Sequence, residues 1–221
     1  MRANRRGSKK RTGFPTVPGH EWSGTVDAVG RGVNPALLGK PCVAENILED
    51  GGEVGFEHPG GYGQYLLNLA QNVFVLPESY PLAQAVLIEP LAVCTRAMRR
   101  LRLQDLSSAL IIGDGPIGLL MLMLMRRAGV EKIVIAGGRT GRLALALELG
   151  AVAGVDHRDC PDGLAQALRD VHSPGFANVI EASGFPLPLD AQQRARRFEG
   201  VGGELNSVHR TSQISWQRTW R

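Results

Sequence analysis

Residues 109–118 read ALIIGDGPIG, and Gly113, Gly115 and Gly118 stand there at Gly-x-Gly-x-x-Gly spacing. Each glycine meets a steric need of a turn that binds phosphate. Gly113 permits a tight exit from a buried strand, Gly115 leaves no Cβ between the backbone and a pyrophosphate, and Gly118 lets the next helix pack closely. The helix start adds free N–H groups and a positive dipole end. Pro116 suits that first turn because it has no N–H to leave unpaired, and Ile117 is counted with it as a cofactor-binding candidate. The bland alternative is a glycine-rich turn with no ligand. Strand, turn, helix and second strand within one βαβ length favour a dinucleotide.

Which dinucleotide depends on the end of the second strand. A carboxylate there usually binds the ribose 2′-hydroxyl of NAD. Here residues 134–142 read VIAGGRTGR, with no carboxylate. Gly138 makes room, and Arg139 and Arg142 supply charge for a 2′-phosphate. NADP is therefore favoured over NAD. The alternative is that both arginines are solvated residues at a helix start.

The elements that position this turn follow from the pattern around it. Short apolar strands are expected at Ala109–Ile112, Lys132–Ala136, Ala153–Val155 and Asn178–Ala182. Helices are expected at about Pro116–Arg127, Arg142–Leu149 and Gly163–Val171. Such alternation predicts a parallel sheet covered on both faces. Before residues 90–105 the text changes to glycine, proline and short β-like runs, at Trp22–Val29, Val43–Ala44, Tyr65–Leu67 and Val73–Leu76. This reads as a small β-rich domain.

Bulk properties exclude several classes. The chain has 221 residues, 43% hydrophobic and 21% charged, as expected of a globular protein. The net charge of +4 comes from residues 1–11, which carry six basic groups and no acidic one. No aromatics interleave with them and no basic face recurs, so the segment reads as a solvated tail, not a nucleic-acid arm. Cys42, Cys94 and Cys160 are far apart and form neither a disulfide framework nor a zinc ribbon. No apolar run is long enough for a membrane span or a secretory signal. A reducing cytoplasm is the expected location.

Several segments agree in order with one family. Residues 14–30, FPTVPGHEWSGTVDAVG, contain a His20-Glu21 pair. Residues 60–65 read GGYGQY, residues 88–93 read IEPLAV, the glycine turn reads GDGPIGLL, and residues 181–184 read EASG. Together they resemble the medium-chain dehydrogenase/reductase superfamily, in its zinc-dependent alcohol and polyol branch (sorbitol, threonine and cyclic-polyol dehydrogenases). The resemblance implies an α/β chain with a partial GroES-like β domain at 14–92, after a basic tail at 1–13. An incomplete Rossmann doubly wound sheet would follow at 93–221. It implies an active site in the cleft between the two, with His20, Glu21 and Glu89 as catalytic zinc ligands or close neighbours. Zinc would act as a Lewis acid on an alcohol oxygen, and hydride would pass to NADP or NAD. The substrate would be a small secondary alcohol or polyol. Read without the resemblance, His20 is a turn histidine and Glu89 a helix-start carboxylate. His58 and His157 show no partner pattern and read as surface residues.

The pattern also departs from the family. No cysteine precedes His20 to serve as the thiolate ligand, and residues 45–54, ENILEDGGEV, lack the cysteines of a structural-zinc lobe. Residues 202–208 resemble the fifth Rossmann strand and residues 214–220 the connection after it. The last strand, the usual dimer contact of a family-like homo-oligomer, is not found. The expectation is a relative truncated at both ends. Two alternatives stay open: a catalytically silent nucleotide-binding fragment, and a zinc-free enone or quinone reductase of the same superfamily.

Overall fold

The computed structural model describes residues 16–184 apart from 102, 161, 162 and 174. The basic tail and the strand and connection expected at 202–208 and 214–220 lie outside these residues. The chain divides into two compact units, Met1–Pro90 and Leu91–Arg221.

The first unit holds a three-stranded antiparallel sheet, β1 (Gly24–Thr25), β2 (Pro41–Ala44) and β3 (Val73–Val75), in that spatial order. The central strand pairs Gly24 with Cys42 on one side and Cys42 with Val75 on the other. Cys42 and Val43 are buried. The ladder runs one residue past β1, where Val26 donates to the Lys40 carbonyl at 3.0 Å. The strand expected at Tyr65–Leu67 is not formed. Tyr65 is 73% and Leu67 88% exposed, and no neighbouring strand pairs with them among the described residues. β-propensity without a partner edge does not make a strand.

A short helix, α1 (Leu82–Ala85), leads into α2 (Ile88–Leu101). The sequence reading gave this helix no bounds: it placed the divide between halves at residues 90–105 and offered Glu89 as a helix-start carboxylate. Pro90 in the first turn is tolerated because no intrahelical N–H is needed there. Leu91, Cys94, Met98 and Leu101 recur at three- and four-residue spacing and face one core.

The second unit is the expected α/β layer. β4 (Ser108–Ile112), β5 (Lys132–Gly137), β6 (Ala153–Asp156) and β7 (Asn178–Glu181) form a parallel sheet in the order β6-β5-β4-β7. Helices α3 (Pro116–Arg127), α4 (Thr140–Glu148) and α5 (Leu164–Val171) connect them. Alternation along the strands divides their side chains between two cores. Ala109, Ile111, Ile133, Ile135 and Ile180 join Cys94, Leu120, Leu122, Met125 and Ala146 on one face. Leu110, Ile112, Val134, Ala136, Val155 and Val179 join Leu168 and Phe176 on the other. Burial on both faces is why these strands read as continuous apolar runs.

The strand order reverses at β4. The chain moves outward through β5 and β6, then returns to the far side of β4 as β7. A crevice opens outside the carboxyl ends of the strands at such a reversal. No helix among the described residues is long and apolar enough to cross a membrane.

Candidate functional site

The crevice is present as a cavity of about 570 Å³, within the size range of small-molecule sites. Its floor is the turn Gly113–Gly115 between β4 and α3. Gly113 has φ +119°, and a Cβ there would lie 2.6 Å from Ala182 and Ser183 of the neighbouring loop. A Cβ on Gly118 would strike the Gly113 carbonyl. A Cβ on Gly115 would meet nothing within 4 Å, so the space in front of it is open to a ligand. No side chain caps the helix at Gly115. Among the described residues, the helix end that would attract a phosphate thus lacks a side-chain cap.

The second wall is the end of β5. Asp114, only 7% exposed, turns its carboxylate inward. Its Oδ2 accepts the backbone N–H groups of Gly138 at 3.2 Å and Arg139 at 2.8 Å. Gly137 must lack a side chain because a Cβ would lie 2.5 Å from Asp114, and Gly138 because one would lie 2.5 Å from the His157 ring. His157 Nδ1 stands 2.7 Å from the Gly137 carbonyl. A carbonyl only accepts, so Nδ1 carries the hydrogen. Beyond His157, Arg158 pairs with Asp156 at 2.5 Å, and this pairing holds the Asp156 carboxyl down at about 2. On the β7 side, Ser183 donates its N–H to Glu181 at 2.6 Å. Burial pushes the Glu181 carboxyl up, against the opposing effect of Ser183.

The sequence-predicted cofactor residues thus fall into two groups. Gly113, Gly115, Gly138 and Arg139 line the cavity. Pro116, Ile117 and Gly118 form the base of α3 behind it, and Arg142 lies in the first turn of α4, outside the lining. Sequence reasoning gave no role to Asp114 or His157, which also line the cavity. The pair Gly137-Gly138 was the available signal, since two adjacent glycines at a strand end call for large neighbours on both.

A second cluster lies in the first unit. One ligand atom from each of His20, Glu21 and Glu89 lies within 4.8 Å of the others. His20 follows Gly19, whose φ is +105°. The backbone there is packed so closely that Cβ atoms on Gly55 or Gly60 would strike the Gly19 carbonyl. Gly61 donates to that carbonyl at 2.8 Å and Tyr62 donates to the Pro18 carbonyl at 3.0 Å. Asn46 fixes the next step. It donates to the His20 carbonyl at 2.7 Å and accepts from Trp22 Nε1 at 2.9 Å. The His20 ring packs on Phe56 with centroids 5.0 Å apart.

Glu89 reaches the cluster from the first turn of α2. Ser23 Oγ donates to the Leu82 carbonyl at 2.7 Å and ties the His20 segment to α1, just ahead of α2. Half-burial raises the Glu89 carboxyl pKa, His20 opposes the rise, and Glu21 and Glu53 add to it. One imidazole nitrogen and two carboxylate oxygens so disposed can close around a single divalent ion. No cysteine belongs to this cluster among the described residues.

Three comparisons relate the chain to known proteins. The family described as "Alcohol dehydrogenase GroES-like domain" matches residues 2–78. L-threonine 3-dehydrogenase of Pectobacterium carotovorum is 28% identical over 228 residues, covering 95% of this chain and 65% of its own. D-arabitol-phosphate dehydrogenase of Enterococcus avium is 31% identical over 217 residues, covering 88% and 60%. The crystal structure of 2R,3R-butanediol dehydrogenase from Bacillus subtilis superposes with a TM-score of 0.71 at 30% identity, covering 85% of this chain and 57% of that one. The chain spans less than two thirds of each of these relatives. The first unit, bearing His20-Glu21, is similar to the GroES-like domain of alcohol dehydrogenases over residues 2–78, and the second has a parallel sheet that reverses at a glycine turn.

Proposed function

We propose that the chain carries the metal and nucleotide sites of an NAD(P)-dependent dehydrogenase acting on small secondary alcohols or polyols. The observation that carries this is the convergence of His20, Glu21 and Glu89 to within 4.8 Å, in a chain that also holds the Gly113 turn. A histidine with two carboxylates so placed suits a divalent cation, and this favours the dehydrogenase reading over a zinc-free reductase.

His20, Glu21 and Glu89 would hold a zinc ion, which would supply the Lewis acidity that lowers the pKa of an alcohol. His20 contributes a neutral nitrogen donor, oriented through its backbone by Asn46. Glu21 and Glu89 contribute negative charge, and the half-burial of Glu89 strengthens its interaction with a cation. In the second unit, the amides from Gly115 onward bind the pyrophosphate. Asp114 holds Gly138 and Arg139 in place, and Arg139 offers a fixed cation to a 2′-phosphate. With Asp114 Oδ2 already bonded to two N–H groups and no carboxylate at the end of β5, NADP is the favoured cofactor. A bound nicotinamide would supply the acceptor for the hydride of an alcohol carbon, with the hydroxyl proton released to solvent.

The test is turnover on a panel of secondary alcohols and polyols, with zinc and with NADP or NAD. Activity is expected on at least one, and His20→Ala is expected to remove it while leaving nucleotide binding intact. Nucleotide binding with no turnover on any alcohol in the zinc-loaded chain would reject the proposal.

A further inference from the structure

We propose that His157 reads the 2′ position of the adenosine ribose, and that its charge state sets the preference between NADP and NAD. This rests on the reading of the cavity as a dinucleotide site. Four observations lead to it. The position at the end of β5 that normally offers a carboxylate to the ribose is occupied by Gly137 and Gly138. The register pairs Gly137 with Asp156, so His157 is the first residue beyond β6 and lies beside that vacant position. Its ring covers Gly138 where a side chain would otherwise stand. It also lines the cavity with Arg139.

The Gly137 carbonyl fixes the chemistry of the ring. Nδ1 is committed as a donor at 2.7 Å, which leaves Nε2 for a ligand. In the neutral ring Nε2 is an acceptor. It can take the hydrogen of a ribose 2′-hydroxyl, the role a carboxylate has elsewhere, but it opposes a dianionic phosphate, whose oxygens also only accept. In the imidazolium, Nε2–H is a charged donor and pairs with the phosphate. A hydroxyl can donate to the neutral ring or accept from the charged one, so NAD binding changes little between the two states. Arg139 adds a positive charge that does not titrate.

Other charges facing the ring among the described residues come from three places. Asp114 lies in the β4–α3 turn and Arg139 ahead of α4. Asp156, Arg158 and Asp159 belong to the ring's own turn, and Asp156 and Arg158 pair with each other. From α5 the cavity receives only apolar Leu164.

Histidine changes charge between about pH 5 and 8. The affinity ratio of NADPH over NADH should therefore rise as pH falls from about 8 to about 6. A phosphate monoester loses its second proton near pH ~6, which would by itself weaken NADPH at low pH. The two trends have opposite signs, so the direction identifies the group.

The experiment is fluorescence titration of the full chain with NADPH and with NADH across this range, for wild type, His157→Gln and Arg139→Ala. The ratio is expected to rise toward low pH in wild type and in Arg139→Ala, where NADPH is weaker at every pH. It is expected to be flat or reversed in His157→Gln. A ratio in wild type that is flat or falls with falling pH overturns the role of His157 even if the glutamine variant does not fold. So does an unchanged slope in that variant. If neither nucleotide binds at any pH, the cavity reading itself is wrong and this inference falls with it.

Discussion

The Asp114 carboxylate accepts the backbone N–H of Arg139 at 2.8 Å, so the glycine turn and the loop that selects the cofactor are held by one side chain. The bond spans 25 residues of sequence and joins the ends of two adjacent parallel strands. Removing it leaves two backbone N–H groups without their acceptor. Asp114→Ala is expected to cost about 1–3 kcal/mol of stability and to weaken NADPH binding. Asp114→Asn, which keeps an acceptor oxygen, is expected to lose less of both. Chemical denaturation and nucleotide titration of the two variants check this.

Gly115 and Gly118 answer to different constraints, and alanine separates them. At position 118 the added methyl meets the Gly113 carbonyl, and Gly118→Ala should lower stability by about 1–3 kcal/mol through overpacking. At position 115 the methyl meets no protein atom within 4 Å, and the backbone there is extended with φ −77°. Gly115→Ala should therefore melt at the wild-type temperature. Thermal melts without nucleotide distinguish the two.

Asp156 provides a pH-dependent term. Hydrogen bonds from Arg158 hold its carboxyl at about 2 in the folded chain, against about 3.9 when unfolded. A depressed carboxylate contributes stability above its unfolded pKa and loses that contribution as pH falls through the folded one. The melting temperature of Asp156→Asn should thus lie below wild type at about pH 7, with the gap closing between about pH 4 and 2. Melts across that range provide the measurement.

Asn46 donates to the His20 carbonyl at 2.7 Å and so positions the residue through its backbone. Groups that orient a ligand commonly change metal affinity by 10–100-fold, and Asn46→Ala should weaken binding of Co²⁺, a spectroscopic substitute for zinc, by about tenfold. Glu89→Gln removes a charged donor and should weaken it further. Titration followed by the visible cobalt spectrum gives both values. Equal affinity in wild type and Glu89→Gln would remove Glu89 from the site.

Much of this was legible in the sequence because each feature is local. The glycine spacing at 113–118 is a property of one turn, and the apolar runs of β4 to β7 are long enough to announce burial on two faces. Helix α4 begins at Thr140, two residues ahead of the expected start, a small error of the kind capping sets. What the sequence concealed is non-local. Asp114 reads as an arbitrary residue between two glycines until the end of β5 lies beside it. His157 reads as a surface residue because its neighbour, Gly138, is on another strand. Tyr65–Leu67 has strand-like residues, and only the absence of a partner edge among the described residues cancels them. His20 and Glu89 stand far apart in the chain, and no spacing rule brings them together; only the family resemblance grouped them as ligands.

The most direct measurement is titration of NADPH fluorescence with the full chain, wild type against Gly115→Ala, both shown folded by circular dichroism. Saturable binding at one site is expected for wild type, weakened about tenfold or more in Gly115→Ala by the methyl placed where the pyrophosphate lies. No saturable binding to the folded wild-type chain, or equal binding by the two proteins, would contradict the account.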